Sequence, residues 1–373
     1  MPNTRFSFAL AVLLLANSLL AQASPEDLSP DLSKALEKSE LPSIAAALVV
    51  EDRIVAAGAS GLRKIGDTTP VTLDDKYHLG SCTKMMTATL AAILVEEGII
   101  EWQTTIHEAL SNTTETIHPD YHDVTLEQLL AHVGGFPGKA PPNLWLQAWT
   151  QQGKISPLEQ RAAFCSGLLS LPPRYTPGTL TEYSNQGYAM AGHMMEVLAQ
   201  KPWEDLIRER IFEPLQMNSA GFRAPASPDT LDQPWGHQNT TPVAPEPRGD
   251  NPDAIGPAGT VHASIADWAK FARFHLLRRT GTLLKNPASF DKLHSLLPNS
   301  GKHGVGGWLV HDIETFGGHC LQMVGSNTMW LSLIWILPEK DIAVVVATNS
   351  AGKDAFPTCD RVAGKLIRQY SKN

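Results

Sequence analysis

Two pairs of apolar runs, one near each end of the chain, constrain the fold more than anything between them. Near the amino end, SIAAALVV (43–50) and RIVAAGAS (53–60) are joined by Glu51-Asp52. Near the carboxyl end, TMWLSLIWIL (328–337) and DIAVVVATN (341–349) flank Pro338-Glu339-Lys340. Runs of this length, rich in β-branched or small residues and broken by turn residues, read as β-hairpins. The segment from about Thr83 to Phe274 is patterned mainly as helix, interrupted by loops such as GGFPGKAPPN (134–143) and TPVAPEPRGDNPDAIGPAG (241–259). After the second hairpin, CDRVAGKLIRQY places Val362, Leu366, Ile367 and Tyr370 on one helical face. Strands at both ends with helices between them imply an α/β (α+β) fold. Its antiparallel sheet draws on both chain ends, about residues 40–80 and 300–373. Helices flank that sheet, and a mainly helical region is inserted over about 83–299.

The first stretch stands apart. MPNTRFSFALAVLLLANSLLAQA (1–23) has an early cation, Arg5, an apolar run and Ala21-Gln22-Ala23. That is the pattern of a signal peptide cleaved after Ala23, so residues 24–373 form the mature domain and the expected location is periplasmic or secreted. The apolar run is shorter than the ~20 residues needed to cross a bilayer, so no stable membrane anchor is expected. A formal net charge of −8 argues against a nucleic-acid partner, which would favour a basic face.

Four cysteines (Cys82, Cys165, Cys320 and Cys359) are too few to build the fold, although export would permit disulfides in pairings that sequence cannot choose. His118 and His122, in IHPDYHD, are separated by Pro119 and do not share a helix face, so metal binding there is disfavoured.

Chemistry enters with LGSCTKMMTATLAAILVEEG (79–98). Lys84 is the one cation of an apolar helical run and follows Ser81 by three residues, a spacing that places both on one helix face. A buried, uncompensated ammonium is costly, so such a lysine tends to lose its proton and become a base. The helix N-terminus adds N–H groups suited to an oxyanion. The alternative is a helix-capping serine with a lysine that reaches solvent. Ser-x-x-Lys alone does not decide between them.

Two further stretches shift the balance. PGTLTEYSNQGYAMAGHMMEVLAQ places Tyr183-Ser184-Asn185 before a helix, and GGHCLQMVGSNTMW places His319 ahead of the second hairpin. With YHLGSCTKMMTA, in this order, they resemble the serine β-lactamase and penicillin-binding-protein superfamily. The likeness is to the group of class C β-lactamases, D-alanyl-D-alanine carboxypeptidases, D-aminopeptidases and related esterases, over roughly residues 30–370. The resemblance implies that Ser81 is the acylated nucleophile and Lys84 its activating partner. It implies that Tyr183 moves protons between Ser81 Oγ and the leaving group, the base being either a neutral Lys84 or a Tyr183 phenol made more acidic by a cationic Lys84, and that Asn185 binds the substrate amide and holds Lys84. His319 matches the first position of the third motif, and the N–H groups of Ser81 and Gln322 would form the oxyanion hole.

One departure stands out. Leu321 occupies a position where relatives usually carry glycine, while Gly325 keeps the later glycine in register. Leu321 could narrow the cleft, redirect the substrate, or mark lost chemistry. Arg279-Thr280-Gly281 imitates the third motif but follows a polar helix end. His132 reads as a structural histidine, and the absence of Gly-x-Ser-x-Gly disfavours an α/β-hydrolase.

The expectation is therefore an exported, monomeric serine hydrolase that needs no metal or organic cofactor. Its substrate would be a small molecule or peptide bearing an amide, lactam or ester, with cell-wall peptides as one candidate. Peptidase or esterase action is favoured over efficient β-lactamase action. The alternative is a catalytically impaired binding or regulatory protein that retains the fold.

Overall fold

The computed structural model describes residues 24–371 apart from 114–115 and 247–248. The expected signal peptide, residues 1–23, lies outside the described residues. The main sheet contains β1 (Glu26–Asp27), β2 (Ser43–Val50), β3 (Arg53–Gly61), β9 (Leu309–Ile313), β10 (Gly318–Ser326), β11 (Leu331–Leu337) and β12 (Ile342–Thr348). Their spatial order is β1-β3-β2-β12-β11-β10-β9, so the two ends of the chain meet where β2 pairs with β12.

Both predicted hairpins form. Val50 pairs with Arg53 around the turn in which Glu51 takes φ +54, and Leu337 pairs with Ile342 across Pro338–Lys340. These strands are near-continuously apolar because both faces are covered. Ala45, Ala47 and Val49 of β2, with Ala343, Val345 and Ala347 of β12, face the core beneath the inserted helices. Ile44, Ala46 and Leu48, with Ile342, Val344 and Val346, face a second core. The helices Ser29–Leu36 and Ala355–Tyr370 close that second core. Leu366 and Ile367 are buried there, each burial stabilising by about 1.5–3 kcal/mol.

The sheet departs from the expectation at one edge. β1 runs parallel to β3, with Glu26 opposite Ala56, which makes the sheet mixed. A two-residue polar strand carries no apolar periodicity, so nothing in the sequence marks it.

The intervening region also holds more β structure than its helical patterning implied. β4 (Lys76–His78), β8 (Val261–Ser264) and β5 (Gly221–Phe222) form a small sheet in the order β4-β8-β5. A hairpin pairs β6 (Gly236–Gln238) with β7 (Thr241–Val243). The short β4 sets the start of the 79–98 stretch, because β8 clamps it by pairing His78 with His262. Among the described residues, no helix is long and apolar enough to cross a membrane.

Candidate active site

Leaving β4, the chain turns at Gly80, enters a 3-10 turn over Gly80–Cys82, and continues as the helix Thr83–Glu96. Gly80 takes φ +51, and a Cβ there would lie 2.4 Å from Ser326 N, so only glycine fits. Every residue of the helix from Thr83 to Leu94 is buried. A helix apolar on all sides belongs in a protein interior, and here it packs among the Asn185–Ala199, Trp203–Ile207, Gly256–Gly259 and Pro287–Leu293 helices.

Lys84 is 0% exposed. Its Nζ lies 3.3 Å from Ser81 Oγ, 2.7 Å from Asn185 Oδ1 and 2.8 Å from the Ala258 carbonyl oxygen. Burial holds its pKa well below the ordinary lysine range, against a small opposing pull from Cys82. Among the described residues no carboxylate is bonded to it, so none there repays the cost of keeping the charge.

Tyr183 arrives from a distant loop, and its Oη donates to Ser81 Oγ at 2.6 Å. The residue as a whole keeps 36% exposure, while Lys84 Nζ stands 4.7 Å from its ring centroid. Burial pushes its phenol above the usual range, offset in part by the bond to Ser81. Asn185 is fixed as the first residue of its helix, which Ser184 caps by accepting Gly187 N–H at 3.1 Å. His132 buttresses this segment: its Nδ1 accepts Ser184 N–H at 3.1 Å and its ring lies 4.5 Å from that of Tyr183. Burial first, then Lys84 and His303, hold His132 well below its ordinary pKa, in keeping with a neutral structural histidine.

The third motif forms the opposite wall. Gly325 is required by close approach, since a Cβ there would fall 2.0 Å from Leu79 O and 2.7 Å from Cys82 N. His319 lies exposed at the start of β10 opposite Asp312, and among the described residues it makes no hydrogen bond to Ser81, Lys84 or Tyr183. Gln322 is paired between Trp335 and Leu309, and strand alternation points its side chain away from the face shared by Leu321 and Met323. Leu321 is 0% exposed and packs in the core beneath the helices, so its side chain lines no open cleft.

Cys82 and Cys320 are free and lie in cores on opposite faces of the sheet. Burial pushes the Cys82 thiol up to about 12, which suits packing rather than attack. Arg279, of the imitation motif, instead forms an ion pair with Asp52 at 3.1 Å.

The structure thus gathers Ser81, Lys84, Tyr183 and Asn185 at one point and does not bring His319 to it, since His319 lies seven residues along β10 from the Ser326 that abuts Gly80. Ala258 could not be foreseen, because it acts through a backbone carbonyl. The same short helix also binds the Thr83–Glu96 helix through Thr87 Oγ1, which donates to Pro257 O at 2.7 Å.

Comparison with known proteins places this geometry in context. The Beta-lactamase family model matches residues 31–366. Penicillin-binding protein 4 of Amycolatopsis lactamdurans is 26% identical over 316 residues, covering 80% of this chain and 79% of that protein. Unguisins hydrolase ungD of Aspergillus violaceofuscus (strain CBS 115571) is 27% identical over 257 residues, 66% of this chain but 44% of the fungal protein. The chain therefore spans less than half of that relative. Among solved structures, the octameric penicillin-binding protein homologue from Pyrococcus abyssi superposes with a TM-score of 0.73 at 22% identity, covering 92% of this chain and 77% of that one. A D-stereospecific amidohydrolase from Streptomyces sp. superposes with a TM-score of 0.67 at 21% identity, covering 89% and 96%. At these identities the two structures speak for the shared fold alone.

Proposed function

The chain belongs to the Beta-lactamase family, and from that premise we propose a serine hydrolase that forms an acyl-enzyme on Ser81. The observation that carries this reading is the double contact at Ser81 Oγ, with Lys84 Nζ at 3.3 Å and Tyr183 Oη at 2.6 Å. A neutral Lys84 has two N–H bonds, which Asn185 Oδ1 and the Ala258 carbonyl receive. Its lone pair is then left for the serine proton. Lys84 acts as the base, and Ser81 attacks the substrate carbonyl. Tyr183, kept protonated by burial, supplies the proton that the leaving group needs. The backbone N–H of Ser81 receives the developing oxyanion, whereas the Gln322 N–H expected beside it lies within the sheet between Trp335 and Leu309. The Lys84 ammonium then returns its proton to the Tyr183 phenolate, and water repeats the sequence on the acyl-enzyme, giving a proton to Lys84 while Tyr183 protonates the departing Ser81 Oγ.

The substrate class is an amide, lactam or ester of a small molecule or peptide. Peptidase or esterase action is the reading preferred to efficient β-lactamase action, in line with a relative named as a hydrolase of unguisins, and a D-amino-acid peptide of the cell wall is one candidate. One chain supplies every group in this scheme, so a monomer suffices. Burial of Leu321 takes away the main argument for a binding protein that has lost its chemistry. Export, with cleavage after Ala23, belongs to the same proposal, and the mature protein should begin at Ser24 on amino-terminal sequencing.

The test is intact-mass analysis after exposure to a fluorophosphonate and, separately, to a penicillin. An adduct on the wild type that is absent from Ser81→Ala supports the reading. Folded protein that takes up neither reagent returns the function to a binding role.

A further inference from the structure

Asp250 sits in the proline-rich 241–259 segment, buried at 4% exposure, and bonds to His78, to Asn327 and to its own neighbour Asn251. Its carboxylate lies 2.9 Å from His78 Nε2, accepts Asn327 Nδ2 at 2.9 Å and accepts Asn251 N–H at 2.6 Å. Each partner leads to a different part of the site. His78, fully buried, accepts Gly80 N–H on Nδ1 at 3.0 Å, one residue before Ser81. Asn327 directly follows β10, whose end packs against Gly80. Asn251 Nδ2 donates to Gly259 O at 2.8 Å, beside the Ala258 carbonyl that faces Lys84.

The hydrogen-bond pattern sets the imidazole tautomer. Nδ1 accepts from Gly80, so it carries no proton, and the ring proton sits on Nε2 facing the carboxylate. Gly80 N–H is thereby held on one side of Ser81, while Cys82 N–H is held by Leu79 O at 3.1 Å on the other. The peptide between them carries the Ser81 N–H, and its direction is fixed from both ends. An oxyanion donor is effective only when its direction is set before the charge develops.

We infer that His78 and Asp250 are positioning residues for acyl transfer. They aim the Ser81 N–H and tie the nucleophile turn, the end of β10 and the carbonyl partner of Lys84 to one buried carboxylate. This rests on the reading of Ser81 as the nucleophile. It also gives the proline-rich segment a role that its sequence does not announce.

Asp250→Asn is the decisive variant, because it preserves volume while reversing one hydrogen-bond polarity. An amide N–H facing His78 Nε2 forces the ring proton onto Nδ1, where it opposes Gly80 N–H. Phosphonylation of Ser81 by the fluorophosphonate, with loss of fluoride and corrected for folded protein, should then slow about tenfold or more. The pH midpoint of the reaction, set by Lys84, should not move. Nitrogen-15 NMR should report His78 protonated on Nε2 in the wild type and on Nδ1 in the variant.

Should Asp250→Asn not fold, His78→Gln keeps an N–H for Asp250 but withdraws the acceptor from Gly80, and it carries the same expectation. His78→Asn, whose Oδ1 can replace Nδ1 as that acceptor, should recover most of the rate. Variants that acylate like the wild type per folded molecule would reduce the pair to a structural role and overturn the inference alone. A wild type that takes no adduct on Ser81 would instead overturn the nucleophile assignment, and the inference with it.

Discussion

Tyr183 and Ser81 stand 102 positions apart, yet the phenol oxygen of one lies 2.6 Å from the hydroxyl oxygen of the other. A phenol held above its usual pKa is a proton donor at neutral pH, and in the proposed reaction this one would sit on the attacking Ser81 oxygen, beside the carbonyl carbon from which the leaving group departs. Loop and helix are thereby joined into one acid–base unit.

Removing that proton should cost most where the leaving group is poor. Tyr183→Phe is expected to slow amide hydrolysis by about 100-fold or more. An activated aryl ester, whose leaving group departs as an anion, should lose far less. Measured kcat/KM values that fall equally for both substrates would take Tyr183 out of leaving-group protonation.

Lys84→Met tests the base. Acylation should drop by orders of magnitude, and the fold should persist because a long apolar chain suits a site with 0% exposure. The pH dependence has a definite sign. The amine's pKa is lowered on folding, so at pH values between the lowered and the ordinary one the unfolded chain binds a proton that the native state does not. Wild-type stability gains from this amine as pH rises through that window, and loses as it falls. The stability of the wild type relative to Lys84→Met, from urea melts at about pH 7 and about pH 10, should therefore increase with pH. A constant difference would mean that the amine keeps its charge in the folded protein.

Three buried histidines predict acid lability. Burial lowers His275 to about 3 and His262 to about 4, and it lowers His294 well below its ordinary value. His275 is bonded to Thr89 Oγ1 at 3.0 Å and to His294 Nε2 at 3.3 Å, among Phe271, Phe274, Phe290 and Trp308. As pH falls below the unfolded value near 6.5, the unfolded chain takes up protons that the native state refuses, so stability declines toward about pH 4. Each histidine contributes a slope of up to about 1.4 kcal/mol per pH unit. His275→Gln should reduce the measured slope by about one proton, and an unchanged slope would exclude this residue as a source.

Leu321→Gly should destabilise without broadening substrate range. Its side chain fills core space beneath the helices, so removal leaves a cavity and adds strand flexibility, together about 3–5 kcal/mol. Urea unfolding would report the loss. A wider substrate profile in the variant would show that the leucine does restrict the cleft.

The hairpins and the Ser81–Lys84 relation were legible because each rests on local periodicity: strands buried on both faces, and a three-residue step on a helix. Tyr183 and Asn185 could be placed only by resemblance, since no local rule says that two segments 100 residues apart will meet. Ala258 and the His78–Asp250–Asn327 group left no signal of their own. A carbonyl has no side-chain signature, and histidine, aspartate and asparagine in loops are ordinary. The parallel edge strand β1 was hidden for a similar reason, as two polar residues gain their strand geometry only from the partner they lie against. The alternatives for Leu321 stay open in the sequence because a motif position does not give the direction of a side chain, which here points into the core.

The junction between β2 and β12 has a further consequence for biogenesis. The first long strand to leave the ribosome cannot find its neighbour on that side until about 300 more residues have been made. Until then an alanine- and valine-rich edge stays open to pairing with other chains. Late chain closure of this kind makes folding slow, and it leaves the nascent protein dependent on being kept apart from its own copies until synthesis is finished.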